Sequence, residues 1–175
     1  MEVQVRAGDT VWDYCHWFRL PFVLVQDSNP DTDLFNLVPG QTILIPGFKA
    51  ISHSIQEGES LFLLAEKLSV PPDAVRLLNQ NGHNVRLHPG HRLTLPVRTE
   101  GLMDESRRPY DFFQMTEMIN HLTAMYPFIR KTIAGHSVLG QPLVEISLGA
   151  GTRKVHMNAS FHANEWITTS VLMTF

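Results

Sequence analysis

Gly8-Asp9-Thr10-Val11-Trp12 and Gly58-Glu59-Ser60-Leu61-Phe62 stand fifty positions apart, and the same shift continues along the chain without a gap. It superimposes Pro21 on Pro71, Val25 on Val75, Asn29 on Asn79, Leu37 on Leu87, Pro39-Gly40 on Pro89-Gly90 and Pro46 on Pro96. Similar residues fill the intervals, as in Ile43/Leu93 and Ile45/Leu95. Glycine and proline dominate the identities, so the turns repeat as well as the core.

One copy reads as strand, helix, helix, strand. Val3-Gln4-Val5 alternates as a short strand and Gly8 supplies its turn. Asp9 or Thr10 then caps a helix by accepting a free amide of its first turn. Val11, Tyr14, Cys15 and Phe18 recur at helical spacing as its apolar stripe. Pro21 punctuates, a second helix covers residues 22–28, and residues 42–45 return as the closing strand before Pro46. Trp12, Trp17, Phe18 and Phe22 could offer an aromatic stacking platform, but their helical spacing favours the core. Cys15, the only cysteine, excludes an internal disulfide and reads as a buried structural thiol.

With Gly8-Asp9-Thr10-Val11-Trp12, Asn29-Pro30, Pro39-Gly40-Gln41 and Ile45-Pro46, and their counterparts through Asn79, Pro89-Gly90 and Leu95-Pro96, the chain resembles the LysM family. The resemblance covers residues 2–47 and 52–97 and implies two modules that bind peptidoglycan or another N-acetylglucosamine-containing glycan. It places the groove between the loop after the first strand and the loop before the second. By position these loops supply Gly8, Asp9, Thr10, Asn29, Pro30 and Asp31 in copy one, and Gly58, Glu59, Ser60, Asn79, Gln80 and Asn81 in copy two. Capping by Asp9 and Thr10 and turn formation by Asn29 are equally open and compatible readings. Two weak sites on one tether would hold a polymer through avidity.

Residues 98–108 (RTEGLMDESRR) are polar and aperiodic, and predict an interdomain linker. From Tyr110 a new domain begins. Phe112, Met115, Ile119 and Leu122 mark an amphipathic helix that ends by Pro127. Strands follow at 129–134 and 143–148, then a buried strand at 155–161 and a helix from Ile167. The expected fold is α+β / α/β: two small βααβ modules, then the truncated start of an α/β domain with a mixed sheet.

His162-Ala163-Asn164-Glu165 sits where the last strand gives way to the helix. Imidazole and carboxylate three residues apart can share one metal ion, and catalytic zinc takes three protein ligands plus water. His156 lies six strand residues from His162, about 20 Å, too far to join them. The wider string 159–169 (ASFHANEWITT), after Gly135-His136-Ser137 and Gly140-Gln141-Pro142, closely resembles the first zinc-ligand motif of the carboxypeptidase A-like zinc peptidases. That resemblance covers residues 109–175 and implies one zinc ion bound by His162 and Glu165. The family's third ligand and its general base have no counterpart before Phe175, so the catalytic residues stay unassigned and the chain is expected to be an inactive fragment. Bacterial members carrying LysM modules cut the γ-D-glutamyl bond to a diamino acid such as diaminopimelate. A non-catalytic glycan-binding protein is the alternative.

The formal net charge of −3 and the absence of a Lys/Arg cluster exclude a nucleic-acid partner. No apolar run reaches the roughly 18 residues of a membrane span, and residues 1–6 lack the basic start and apolar stretch of a secretory signal, so none is expected. The expectation is cytoplasmic synthesis with action at the cell wall, in a sporulating cell or after non-classical release.

Overall fold

The structure, a computed structural model, describes residues 1–79, 88–99, 111–149, 151–160 and 167–174. The chain divides into two compact units, Met1–Thr99 and Glu100–Phe175.

Unit 1 holds two βααβ repeats. The first is β1 (Glu2–Gln4), α1 (Val11–Phe18), α2 (Phe22–Asp27) and β2 (Thr42–Leu44); the second is β3 (Phe48–Ser54), α3 (Leu61–Lys67), α4 (Pro72–Leu78) and β4 (Arg92–Arg98). Each repeat closes its own antiparallel pair, and the register obeys the fifty-residue shift: Val3 faces Ile43 and His53 faces Leu93. The hydrogen bonds outside the ladders repeat as well. The Val5 N–H donates to the Gln41 carbonyl, and the Ile55 N–H to the His91 carbonyl, both at 2.8 Å. A left-handed residue also recurs at both helix ends, Arg19 at φ 50° capping α1 and Ser69 at φ 55° following the Leu68 cap of α3.

Local sequence explains these elements. Thr10 and Asp13 form a reciprocal capping box, the Asp13 Oδ2 accepting from the Thr10 N–H at 2.7 Å. Ser60 caps α3, its Oγ accepting from the Leu63 N–H at 3.2 Å. Gly8 and Gly58 sit at φ +88° and +79°, where any other L-residue would be strained.

The apolar stripes of both repeats merge into one core that includes Tyr14, Phe18, Val25, Ile43, Val75 and Leu95. Only Ile45, the buried Pro46 and the buried Gly47 separate β2 from β3. The Phe18 and Phe48 rings meet edge to face, 5.1 Å apart. Arg98 lies over the Phe48 ring at 4.8 Å and donates from Nη2 to the Phe18 carbonyl at 3.1 Å. The Thr99 N–H donates to the Gly47 carbonyl at 2.9 Å, closing the junction from the other side. The repeats are therefore joined by packing and hydrogen bonds, and the tether expected from sequence is absent. Arg98, read as the first linker residue, is the last residue of β4.

Trp12 also departs from expectation: it is 58% exposed rather than core. The stripe Val11, Tyr14, Cys15, Phe18 already fills the inward face, and residue 12 falls about 100° away from it. Phe18 is buried, while Trp17, Phe22 and Cys15 are half-buried. Burial pushes the Cys15 thiol above its ordinary pKa, consistent with an unreactive side chain.

Unit 2 contains α5 (Phe112–Met125), β5 (Arg130–His136), β6 (Pro142–Ser147) and α6 (Ile167–Thr174). Asp111 and Gln114 form the capping box of α5. Strands β5 and β6 make an antiparallel hairpin, and the Lys131 Nζ donates to Asn120 Oδ1 of α5 at 2.8 Å. The strand expected at 155–161 is not seen: among the described residues, 151–160 join no sheet, and the mixed sheet is reduced to this hairpin. An apolar run becomes a strand only beside a ladder partner, and the described residues supply none.

Candidate functional site

In the first repeat the loop after β1 is locked from within. Asp9 accepts from Arg6 Nε at 2.8 Å, from Arg6 Nη2 at 3.2 Å and from the Tyr14 hydroxyl at 2.9 Å. Burial first, then that bond, holds the Tyr14 hydroxyl protonated well above its usual range. The Arg6 guanidinium also lies over the Trp17 ring at 4.9 Å. Gly8 and Thr10 are exposed beside this lock, as are Pro30 and Asp31 on the other loop.

Asn29 does different work. Its Nδ2 donates to the carbonyls of Val25 at 2.7 Å and Leu44 at 2.8 Å, and its Oδ1 accepts from the Leu44 N–H at 2.7 Å. Asn79 makes the same three bonds, to Val75 at 2.7 Å and to both backbone groups of Thr94 at 2.7 and 2.8 Å. Each amide thus ties the end of the second helix to the closing strand. Replacing Asn29 or Asn79 with alanine strands backbone groups in a shielded place, and should lower stability by about 1–3 kcal/mol. Urea denaturation of the single variants checks this, and an unchanged midpoint would refute it.

The second repeat fills the loop position of Asp9 with Glu59. Its carboxylate takes the Gln56 N–H at 3.0 Å, His53 Nε2 at 2.7 Å and Lys67 Nζ at 3.5 Å. Those contacts, the Gln56 amide foremost and His53 next, depress its pKa to about 2. A depressed carboxylate contributes stability that is fully present above its ordinary value of 4.5 and lost as pH falls through the folded one. The thermal midpoints of the unaltered chain and Glu59→Gln should therefore converge as pH falls from 5 toward 2 (about that window), whereas a constant gap would count against the assignment. Ser60 caps α3, and Gly58 is exposed. Gln80 and Asn81 lie outside the described residues.

In unit 2 the backbone leading to the proposed metal ligands is held by hydroxyls. Ser160 adopts φ 52°, and its N–H donates to Thr168 Oγ1 at 2.7 Å while its hydroxyl pairs with that of Thr169. This pairing, across eight and nine residues, has no signal in local periodicity. His162 and Glu165 themselves lie outside the described residues. Among the described residues no three His, Cys, Asp or Glu side chains gather where they could hold a metal ion, and no helix is long and apolar enough to cross a membrane. His156 is exposed on the segment before the motif.

Residues 53–96 match the LysM domain family, and residues 115–175 match the zinc carboxypeptidase family. The whole chain is 39% identical over 175 residues to a gamma-D-glutamyl-L-diamino acid endopeptidase 1 of Lysinibacillus sphaericus, spanning 44% of that protein's length. A stretch of 71 residues, 39% of this chain, is 46% identical to an uncharacterized protein, YqgT, of Bacillus subtilis (strain 168), spanning 19% of it. Among solved structures, the spore cortex-lytic enzyme SleL of Bacillus megaterium QM B1551 aligns at 24% identity and a TM-score of 0.28. That alignment covers 57% of this chain and 23% of SleL.

Proposed function

We propose that this chain, which joins a LysM domain to the opening part of a zinc carboxypeptidase domain, is the wall-binding and early catalytic portion of a peptidoglycan peptide hydrolase. Identity of 39% along all 175 residues of this chain to an endopeptidase named for the γ-D-glutamyl-L-diamino acid bond carries this reading, because the match takes in both units. The substrate bond is then γ-D-glutamyl to a diamino acid such as diaminopimelate.

Residues 2–47 act as a second LysM module beside 52–97, supported by the shared register and the shared Asn29 and Asn79 ties. The glycan groove uses exposed Gly8, Thr10, Pro30 and Asp31, with Gly58, Ser60, Gln80 and Asn81 in the second module. Asp9, Glu59, Asn29 and Asn79 shape the loops through their internal bonds. Short polar side chains and turn amides suit the hydroxyl and acetamido groups of N-acetylglucosamine.

The peptidase domain occupies 109–175 onward, after a linker that begins beyond Arg98. His162 and Glu165 are its zinc ligands, and the Ser160–Thr168 bond anchors the backbone on both sides of them. Zinc, when bound, polarises a carbonyl and lowers the pKa of its water. Since catalytic zinc uses three protein ligands and a general base is commonly worth about 10²–10⁴-fold, the 175-residue polypeptide alone is expected to bind zinc weakly and turn over no peptide.

Co-sedimentation with insoluble peptidoglycan tests the wall-binding half. The 175-residue chain should appear in the pellet and be competed off by soluble N-acetylglucosamine oligomers. A chain that stays in the supernatant would sink the reading.

A further inference from the structure

Two exposed rings, Trp12 and Phe35, flank the half-buried Phe22 in the first repeat. Trp12 stacks on Phe22 with centroids 5.1 Å apart and an interplanar angle of 29°, and Phe22 meets Phe35 at 5.5 Å and 36°. Trp12 is 58% exposed and Phe35 68%. The backbone that carries each outer ring is held by local hydrogen bonds. Trp12 lies in the helical turn fixed by the Thr10–Asp13 capping box. The N–H of Phe35 donates to Asp33 Oδ1 at 3.1 Å, and Asn36 Nδ2 donates to Asp33 Oδ2 at 2.7 Å.

We infer that Trp12, Phe22 and Phe35 form a rigid stacking shelf for the apolar faces of sugar rings in an N-acetylated glycan chain. The inference rests on the glycan-binding reading above and adds to it the residues that take the hydrocarbon face of the ligand. The shelf runs from the first turn of α1, just after the β1 loop, to the loop between α2 and β2, so it is continuous with both edges of the proposed groove.

Its size and charge favour this occupant. With each aromatic offering about 150–250 Å², the exposed part of three rings comes to roughly 300 Å², well below the ~800 Å² per partner of a stable protein interface. Patches of that order on a monomer are often functional. The charged groups in the turns that carry the outer rings are the Asp13 and Asp33 carboxylates, bonded to Thr10, Phe35 and Asn36, so the shelf disfavours an anionic partner and suits a neutral one. Its flat, pre-set rings lose little freedom on contact.

The repeats differ here. Phe62, at the position of Trp12, is 66% exposed, but Pro72 replaces Phe22 and Val85 replaces Phe35. Stacking is therefore concentrated in the first repeat.

The test is co-sedimentation of the 175-residue chain with insoluble peptidoglycan, comparing the unaltered chain, Trp12→Ala/Phe35→Ala, Trp12→Phe and Phe62→Ala. The double variant should lose about tenfold or more in apparent affinity, as expected when aromatic anchors are truncated. Trp12→Phe keeps a ring and should stay within about twofold, and Phe62→Ala should lose less than the double variant. Should the double variant fail to fold, Phe35→Ser in the exposed loop decides the same question. Binding by the unaltered chain with equal binding by the double variant would overturn the shelf and leave the glycan reading intact. So would a loss that tracks dissociation of a dimer in sedimentation velocity. If the unaltered chain does not bind at all, both readings fall together.

Discussion

Replacing Phe48 with alanine should destabilise both repeats of unit 1 together, by about 3–5 kcal/mol, the usual range for emptying a buried aromatic site. Phe48 opens β3, yet its ring packs against Phe18 of α1 and under the Arg98 guanidinium. Removing it leaves a cavity shared by the two repeats. It also withdraws the surface that holds Arg98 near the Phe18 carbonyl. Two domains on a flexible tether would behave otherwise, because damage to one would leave the other intact. Hydrogen exchange of backbone amides distinguishes the cases: protection in α1 and in α4 should fall by the same factor in Phe48→Ala. Retained protection in α1 with loss confined to the second repeat would show that the junction does not couple them.

His162→Ala, in the protein extended to the length of its Lysinibacillus relative, should abolish bound zinc and peptide hydrolysis together while leaving wall retention unchanged. Loss of one of three protein ligands opens the coordination sphere, and metal binding in such sites is coupled to the local fold. Unit 1 closes its own sheets and core, with its helices and strands paired inside Met1–Thr99, so it has no need of the metal. Glu165→Ala should behave in the same way. Metal content measured on the purified variants, beside co-sedimentation with peptidoglycan, checks both halves. Retention of one zinc per chain in His162→Ala would refute the ligand assignment.

The repeat was legible because turns constrain residue type more tightly than cores do. Gly8 and Gly58 both need positive φ, and the helix-ending Asn29 and Asn79 each make the same three backbone bonds. What those asparagines do was less legible. A short amide beside a loop suits a sugar or a backbone equally well in one dimension, and only the fold brings Leu44 or Thr94 within reach. Trp12 was misplaced because it is apolar and helical, although it stands off the stripe that Val11, Tyr14 and Phe18 define. Arg98 was read as linker because charge and the lack of period outweighed its strand pairing with Phe48, which is non-local. The residues 155–160 show the converse. Their apolar character suggests a buried strand, but pairing is decided elsewhere in the chain. For the proposed metal site, the histidine and glutamate were suggested by spacing and resemblance, whereas the Ser160 to Thr168 bond had no signal in the sequence.

The deciding measurement is hydrolysis of a γ-D-glutamyl-diaminopimelate peptide by the extended protein, with and without a zinc chelator. Cleavage at the γ-D-glutamyl bond should stop with the chelator and return with added zinc, and residues 1–175 alone should show none. Full activity from the 175-residue chain, or cleavage indifferent to the chelator, would overturn the zinc-peptidase assignment.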